Sequence, residues 1–371
     1  MNKLFVVHYY PVDYFPPVMN LINTLQDKVK ICVSSTRKSN ALDEYKAAGA
    51  QIFKPTKENK ADSSIMVLLK YLYFSLFTLL KLITNKPDVV LYYESVSAFP
   101  VFLYKRFFRR KVKVCIHYHE YMTPEEYCRP GMRLSKFNHK LEISYLYNAA
   151  CWISQTNEYR KRFFLNDYPF INHAKCHVMP NYPPRSWHVE RKKYAADGIV
   201  KCVYVGSLSL HDTYVKEFCE WVAKQQGKVT FDIYSFNFYA DVKAAIHEIS
   251  SPYITFHEKG VAYHDIPAVL AKYDVGLLLY KAKTLNVRYC ETNKFYEYLI
   301  SGLNVWYTKE MTLIDNMDKH DFLSDIQSFE VMANKFPLVI ATTHITDNCK
   351  YNLFCENAYN DFWCAITNTT Q

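Results

Sequence analysis

His117 ends the strand-like run Val112–His117, and His119 and Glu120 follow it one residue later. If the strand continues that far, side-chain alternation puts both imidazoles on one face. Two histidines and a carboxylate at a strand end suit general acid–base work or recognition of sugar hydroxyls. Their spacing also resembles metal ligation by two histidines and a carboxylate, and histidines satisfied at the edge of a core are the plainer reading. A second group surrounds a helix start. Asn293-Lys294-Phe295-Tyr296-Glu297-Tyr298-Leu299-Ile300-Ser301-Gly302 reads as a helix that begins near Asn293 and stops at Gly302, directly ahead of a strand. Free N–H groups and the positive dipole end at its start suit a phosphate. Lys294 adds a full charge there. Glu297, placed by this reading in the first turn, can accept from two vicinal hydroxyls or simply stabilise the helix. Gly206 and Ser207 close the run Val200–Val205; glycine there lets the backbone approach a ligand, although strand-to-helix turns use glycine routinely.

The elements that must position these residues alternate in type. Strand-like runs are Leu4–His8, Lys30–Ser34, Gln51–Phe53, Val89–Tyr93, Val112–His117, Cys151–Ser154 and Cys176–Met179. Helical patterns lie between most of them, at Ala41–Ala48, Ile65–Ile83, Ser95–Phe107, Leu134–Tyr147 and Glu158–Asn166. The rhythm breaks over Pro180–Asp197, which contains Pro183, Pro184 and the charged stretch Glu190–Lys193. It restarts at Val200–Val205 and runs through Thr230–Tyr234, Ile254–Phe256, Val275–Leu279 and Asn304–Tyr307, with helices between. This predicts an α/β chain of two tandem, doubly wound Rossmann-like domains facing a cleft. The expected division is 1–182, a linker at 183–198, a second domain at 199–345, and a C-terminal helix within 346–371 that packs back toward the first. Ligands in such sheets bind beyond the carboxyl ends of the strands. His8, Glu94 and the 117–121 segment all stand at such ends.

Composition removes several classes. The 371 residues are 50% hydrophobic, which excludes a disordered chain. They include only 8 glycines, where average usage gives roughly 26. No G-x-G-x-x-G, P-loop or G-x-S-x-G can be drawn from those eight. Eleven cysteines without C-x-x-C spacing read as reduced thiols, and the N-terminus runs into a strand without the features of a secretory signal. A cytoplasmic location is expected. The net charge of +9 is uneven: residues 1–185 carry 27 Lys and Arg against 14 Asp and Glu, the remainder 18 against 22. The densest basic run, Lys105 to Lys113, contains Phe107 and Phe108. No nucleic-acid-binding motif accompanies it, and a solvated surface competes with an anionic membrane surface. Ile65–Ile83 is the most apolar stretch, but Lys70 and Lys81 interrupt it. It is short of the roughly 20 apolar residues of a span, and reads first as a helix packed on a sheet; the sharper alternative is a helix whose outer face also dips into a bilayer interface.

The N-K-F-Y-E-Y-L-x-S-G-L segment at 293–303 resembles the nucleotide-binding signature of sugar transferases with the GT-B fold, closest to family 4 of the glycosyltransferases. Met179-Pro180-Asn181-Tyr182-Pro183 resembles the hinge entering the second domain, Val203–Leu208 the phosphate-side loop, and His119-Glu120-Tyr121 an acceptor-side segment. The resemblance implies transfer of a sugar from a nucleotide-sugar donor, UDP by family frequency, to a glycan or lipid-linked acceptor. It implies a retaining, metal-independent reaction without a cofactor, in bacterial cell-surface polysaccharide synthesis such as capsule or O-antigen. It places Glu297 on the ribose, Lys294 and Asn293 near the diphosphate, Gly206 against the phosphates and His119, with Glu120, near the donor sugar. Tyr289 stands where the family's Glu-x7-Glu motif has its first glutamate, and Ser207 and Thr213 where it has an arginine and a lysine. Arg288, Lys294, Lys281 and Lys283 are the cations left to face the diphosphate. A basic acceptor half suits a lipid diphosphate at the inner membrane face. A sugar-nucleotide epimerase and a non-catalytic, membrane-bound scaffold are the alternatives.

Overall fold

The computed structural model describes residues 3–38, 44–57, 59, 61–189, 198–317, 326–328 and 353–368. They form two units: residues 1–181 with 355–371, and 182–354. The first contains β1 (Lys3–His8), α1 (Pro16–Leu25), β2 (Lys30–Ser34), β3 (Ala50–Phe53), α2 (Ser64–Asn85), β4 (Val89–Tyr93), α3 (Ala98–Leu103) and β5 (Lys113–His117). There follow α4 (Arg133–Leu141), α5 (Tyr147–Ala149), β6 (Trp152–Gln155), α6 (Glu158–Asp167) and β7 (Cys176–Val178). All seven strands are parallel in the order β3-β2-β1-β4-β5-β6-β7. The strand order reverses between β1 and β4, so the switch point lies beyond His8 and Tyr93. Every residue of β4 is buried, as a parallel strand covered on both faces requires.

Local chemistry sets the helix boundaries. Pro16 opens α1, where its missing N–H costs nothing. The Ser63 hydroxyl accepts from Met66 N–H to cap α2, and Lys86 in the left-handed region ends it. Asn157 caps α6 through Arg160 N–H. The pattern Ala41–Ala48 was expected to be helical; residues 44–48 are not, and 41–43 lie outside the described residues. Alanine-rich propensity is overridden there because Tyr45 is tied down, its N–H donating to Asp13 Oδ1 (2.6 Å) and its hydroxyl to Asn23 (2.6 Å). The expected helices over 95–107 and 134–147 are composite, each passing from an α-helix into a π-helical turn, at Tyr104–Phe108 and Glu142–Leu146.

The second unit contains β8 (Val200–Val205), α7 (Val215–Lys224), β9 (Val229–Tyr234), α8 (Ala240–Ile249), β10 (Ile254–His257), α9 (Ile266–Leu270) and β11 (Val275–Leu278). It continues through α10 (Leu285–Arg288), α11 (Asn293–Ile300), β12 (Asn304–Tyr307), α12 (Thr312–Asp315) and β13 (Ile326–Ser328). The order β10-β9-β8-β11-β12-β13 is again all parallel, with its switch point between β8 and β11. Strand alternation divides the core cleanly. Val203 and Val205 of β8 face one cluster, Cys202 and Tyr204 the other. Trp187, within the expected linker, is buried in the first of these clusters. The last helix, α13 (Cys355–Asn368), belongs to the first unit. It packs on α1, with Tyr359 donating to Pro17 O (2.8 Å).

Candidate functional site

Two groups of polar side chains stand at the two switch points. In the second unit, Gly206 follows β8 with φ +148° and its N–H bonded to Tyr234 O (2.9 Å). The side chain of Lys294 lies across its Cα. A methyl group added at Gly206 would overlap Lys294 Cε and stand 2.7 Å from its Nζ. Here glycine is required twice, by φ and by the close approach. Thr292 caps α11 through Phe295 N–H (3.3 Å), so Asn293 and Lys294 are its first two residues. Tyr298 docks the helix on the sheet: its ring fills the space over Gly276, and its hydroxyl accepts Val205 N–H (3.2 Å). Ser207 is exposed, its hydroxyl accepting from Asn237 Nδ2 (3.3 Å).

Glu297 departs from its expected placement. The helix starts at Asn293, so Glu297 falls in the second turn, where it is 6% exposed. Burial pushes its carboxyl up to about 7, opposed by the charge of Lys294. Plain dipole stabilisation therefore does not account for it. Arg288 sits on α10 and donates through Nε to Ala282 O (3.1 Å). Lys281 is committed to Leu210 O (2.9 Å) and Glu217 (3.1 Å), and Thr213 to Ser209 O (2.7 Å). Of the four cations expected to face a diphosphate, Lys294 is the one in contact with the glycine turn.

In the first unit, the switch point gathers His8, Glu94, His117 and His119. The His119 ring stacks on Tyr93 (4.8 Å between centroids) and packs against Phe15 (5.7 Å), with the His117 ring at 5.0 Å and His8 at 6.1 Å. It is buried, and neither ring nitrogen completes a hydrogen bond, although Asn181 lies near enough to favour its protonation. Desolvation holds it well below the ordinary imidazole range, with the neighbouring histidines adding to the effect. His117 is different: Ser154 Oγ satisfies its Nδ1 at 2.9 Å, and burial lowers it to about 3. Burial likewise lowers His8 to about 4. Glu120 is exposed. Among the described residues, no three His, Cys, Asp or Glu side chains form a metal-binding group.

Glu94 is the residue that strand-end reading placed here without a role. It adopts φ 59°, ψ 149°, a region that costs a residue with a side chain roughly 1–3 kcal/mol. Its carboxyl Oε1 accepts the N–H of His119 (2.6 Å) and, more weakly, that of Glu120 (3.4 Å). The residue keeps some accessible surface, yet its carboxyl is packed round by protein. Burial, and then Glu120, push it up to about 8 despite the two amide donors. A strained, neutral carboxyl thus fixes the backbone that carries an unsatisfied histidine. Unsatisfied buried nitrogens are rare enough in folded proteins to point to a ligand.

No family model matches this chain, and no curated protein matches it in sequence. Solved structures match it in fold. The apo form of the lipopolysaccharide outer core galactosyltransferase WaaB superposes with TM-score 0.60 at 12% identity, over 99% of both chains. HepE from Anabaena, in complex with UDP-glucose, gives TM-score 0.61 at 12% identity, over 97% of this chain and 94% of that one. Sucrose-phosphate synthase from Thermosynechococcus elongatus gives 0.58 at 10%, over 83% and 81%. The chain has the GT-B fold of two Rossmann-like units, as the 293–303 segment led one to expect.

Proposed function

We propose that the protein is a nucleotide-sugar glycosyltransferase whose second unit holds the donor and whose first unit holds the acceptor. The observation that carries this reading is the lysine of a capped helix N-terminus lying on a glycine at the switch point. That arrangement presents backbone N–H groups, a dipole end and one full charge to a diphosphate. Departure of the sugar leaves negative charge on the diphosphate, which Lys294 and the α11 N-terminus stabilise. Asn293, Gly206 and Ser207 line the phosphate side, Arg288 offers a second guanidinium edge, and Glu297 accepts from the ribose. We assign His119 and Glu120 to the transferred sugar. Fold neighbours that hold UDP-glucose support a UDP-sugar donor. The reaction read here is retaining and metal-independent, without a cofactor, and serves cell-surface polysaccharide synthesis. Calorimetric titration with UDP, GDP and CDP tests it: one nucleoside diphosphate should bind, and Glu297→Ala should weaken it at least tenfold. Binding of none would move the reading to a scaffold.

The acceptor unit is read as cytoplasmic and peripheral to an anionic membrane. α2 is long and apolar enough to cross a bilayer. Its Tyr71, Phe74, Ser75, Thr78 and Leu82 are nevertheless buried in the first unit, with Thr78 bonded to Ser34 (2.6 Å) and Tyr71 to Asn138 (2.9 Å). That favours interfacial docking of its outer face over spanning. Arg109 is committed to the carbonyls of Lys86 and Pro87, so the exposed Arg106, Arg110 and Lys111 are the side chains left for lipid headgroups. At about 1 kcal/mol each, replacing these three by Glu should weaken binding to vesicles containing 30% anionic phospholipid by roughly 100-fold or more. Unchanged sedimentation with vesicles would remove the membrane from the reading.

A further inference from the structure

A cavity of about 290 Å³ opens in the first unit beyond the ends of β1, β2 and β3, beside the histidine group, whose His8 packs edge-on against Tyr10 of the lining (6.2 Å). Tyr9 and Tyr10 follow β1, Thr36 follows β2 and Thr56 follows β3, while Val67 and Lys70 reach the cavity from α2. Thr56 Oγ1 is buried and has no hydrogen-bond partner among the described residues. Lys70 is anchored at the wall by Asp62 (2.5 Å) and Lys57 O (3.0 Å). Aromatic faces interleaved with hydroxyl, amide and charged groups match the two sides of a sugar ring, its apolar C–H face and its hydroxyls.

The helix that closes this cavity carries an apolar strip on its outer side. Ile65, Leu69, Tyr73, Leu76 and Leu80 recur at helical spacing, and each is more than half exposed. So large a contiguous apolar surface on a folded unit marks a contact site. Lys70 of the cavity wall has exposed Met66 and Tyr73 as its neighbours on the helix surface, at i−4 and i+3, and these border the strip. A cavity of mixed aromatic and polar lining that borders an apolar strip on one helix fits a ligand with a sugar-like head and an alkyl tail.

We propose that this cavity takes the saccharide headgroup of a glycolipid whose hydrocarbon chain lies along α2. The binding site stands on the cavity and the strip alone; its role as the acceptor site rests on the transferase reading above. The hydroxyl of Thr56 is satisfied by a sugar hydroxyl, and the exposed leucines by the alkyl chain or the bilayer surface around it.

Photolabelling tests this without any nucleotide, so failure of donor binding and failure of this site are told apart. The probes are dodecyl β-glucoside, β-galactoside and β-maltoside, each with a diazirine in the alkyl chain, used below their micelle concentration, with dodecylphosphocholine of equal chain length as control. At least one glycoside should label residues 64–80 at least tenfold more strongly than the control. Thr56→Val, nearly isosteric, should reduce that labelling at least fivefold. Leu69→Glu with Leu76→Glu, on the exposed side where folding is undisturbed, should abolish it. Equal labelling by glycosides and phosphocholine, labelling outside α2 and the cavity wall formed by Gly131, Met132, Leu134 and Ser135, or labelling indifferent to Thr56→Val overturns the proposal.

Discussion

Lys294→Ala is expected to turn over its nucleotide-sugar 10²–10³-fold more slowly than the wild type, at an unchanged melting temperature. The magnitude is that of removing one preorganised donor from developing negative charge, about 3–4 kcal/mol. It is large here because Lys281 and Thr213 are engaged elsewhere and Arg288 has its Nε committed to Ala282 O. Stability should hold because Lys294 is only half-buried, and because α11 keeps its Thr292 cap and the docking of Tyr298 on Gly276. Gly206→Ala should give the same loss by a different route. A methyl group there occupies the place of Lys294 Cε and pushes the ammonium away from the turn. Donor hydrolysis without acceptor, followed by release of nucleoside diphosphate, measures both variants. Wild-type turnover in Lys294→Ala would mean that the diphosphate is held elsewhere.

Much of this site is legible in the amino-acid sequence, for a physical reason. The central strands are runs of β-branched and aromatic residues buried on both faces, so apolar runs alone place them to within a residue or two, whereas the short edge strand β13 has no such run and is absent from the expected strands. The α11 segment carries its own punctuation, from a polar cap to Gly302. What periodicity cannot carry is a conformation that breaks local preference. α1 is absent from the expected helices, although Pro16-Pro17 at its first turn is an opening signal that could have placed it. The segment 44–48 is misread as helix because Asp13 and Asn23, distant in sequence, capture Tyr45. The contact of Lys294 with Gly206 spans 88 positions and depends on how α11 sits on the sheet. Glu94 has no signature beyond its place after a strand. Its role comes from a backbone angle and from two amides contributed by the next strand's exit loop.

Glu94 therefore yields the most discriminating test of the first unit. Because its carboxyl is pushed up to about 8, it is neutral at pH 7, and glutamine copies both its shape and its acceptor oxygen. Glu94→Gln should keep turnover at pH 7 within about threefold, because the His119 N–H still finds its acceptor. Glu94→Ala leaves that amide unpaired and frees the 119–120 backbone, and a displaced catalytic group costs about 100-fold. The pH dependence gives the sign. The folded-state value lies above the ordinary 4.5, so the protonated form favours folding. That contribution is complete below about 4.5 and is lost as pH rises toward and through 8. Glutamine cannot ionise, so Glu94→Gln should gain on the wild type progressively from pH 5 to pH 9. With the residue partly exposed, the gain is on the order of 1–3 kcal/mol, or several degrees in melting temperature. His8 and His117, buried with values near 4 and 3, act in the opposite window. They lose stability as pH falls below about 6.5, in the wild type and the variant alike. Melting curves of both proteins across pH 5–9 separate the two effects. Parallel curves above pH 7 would show that Glu94 is already ionised in the folded protein, and that His119 is held by a carboxylate.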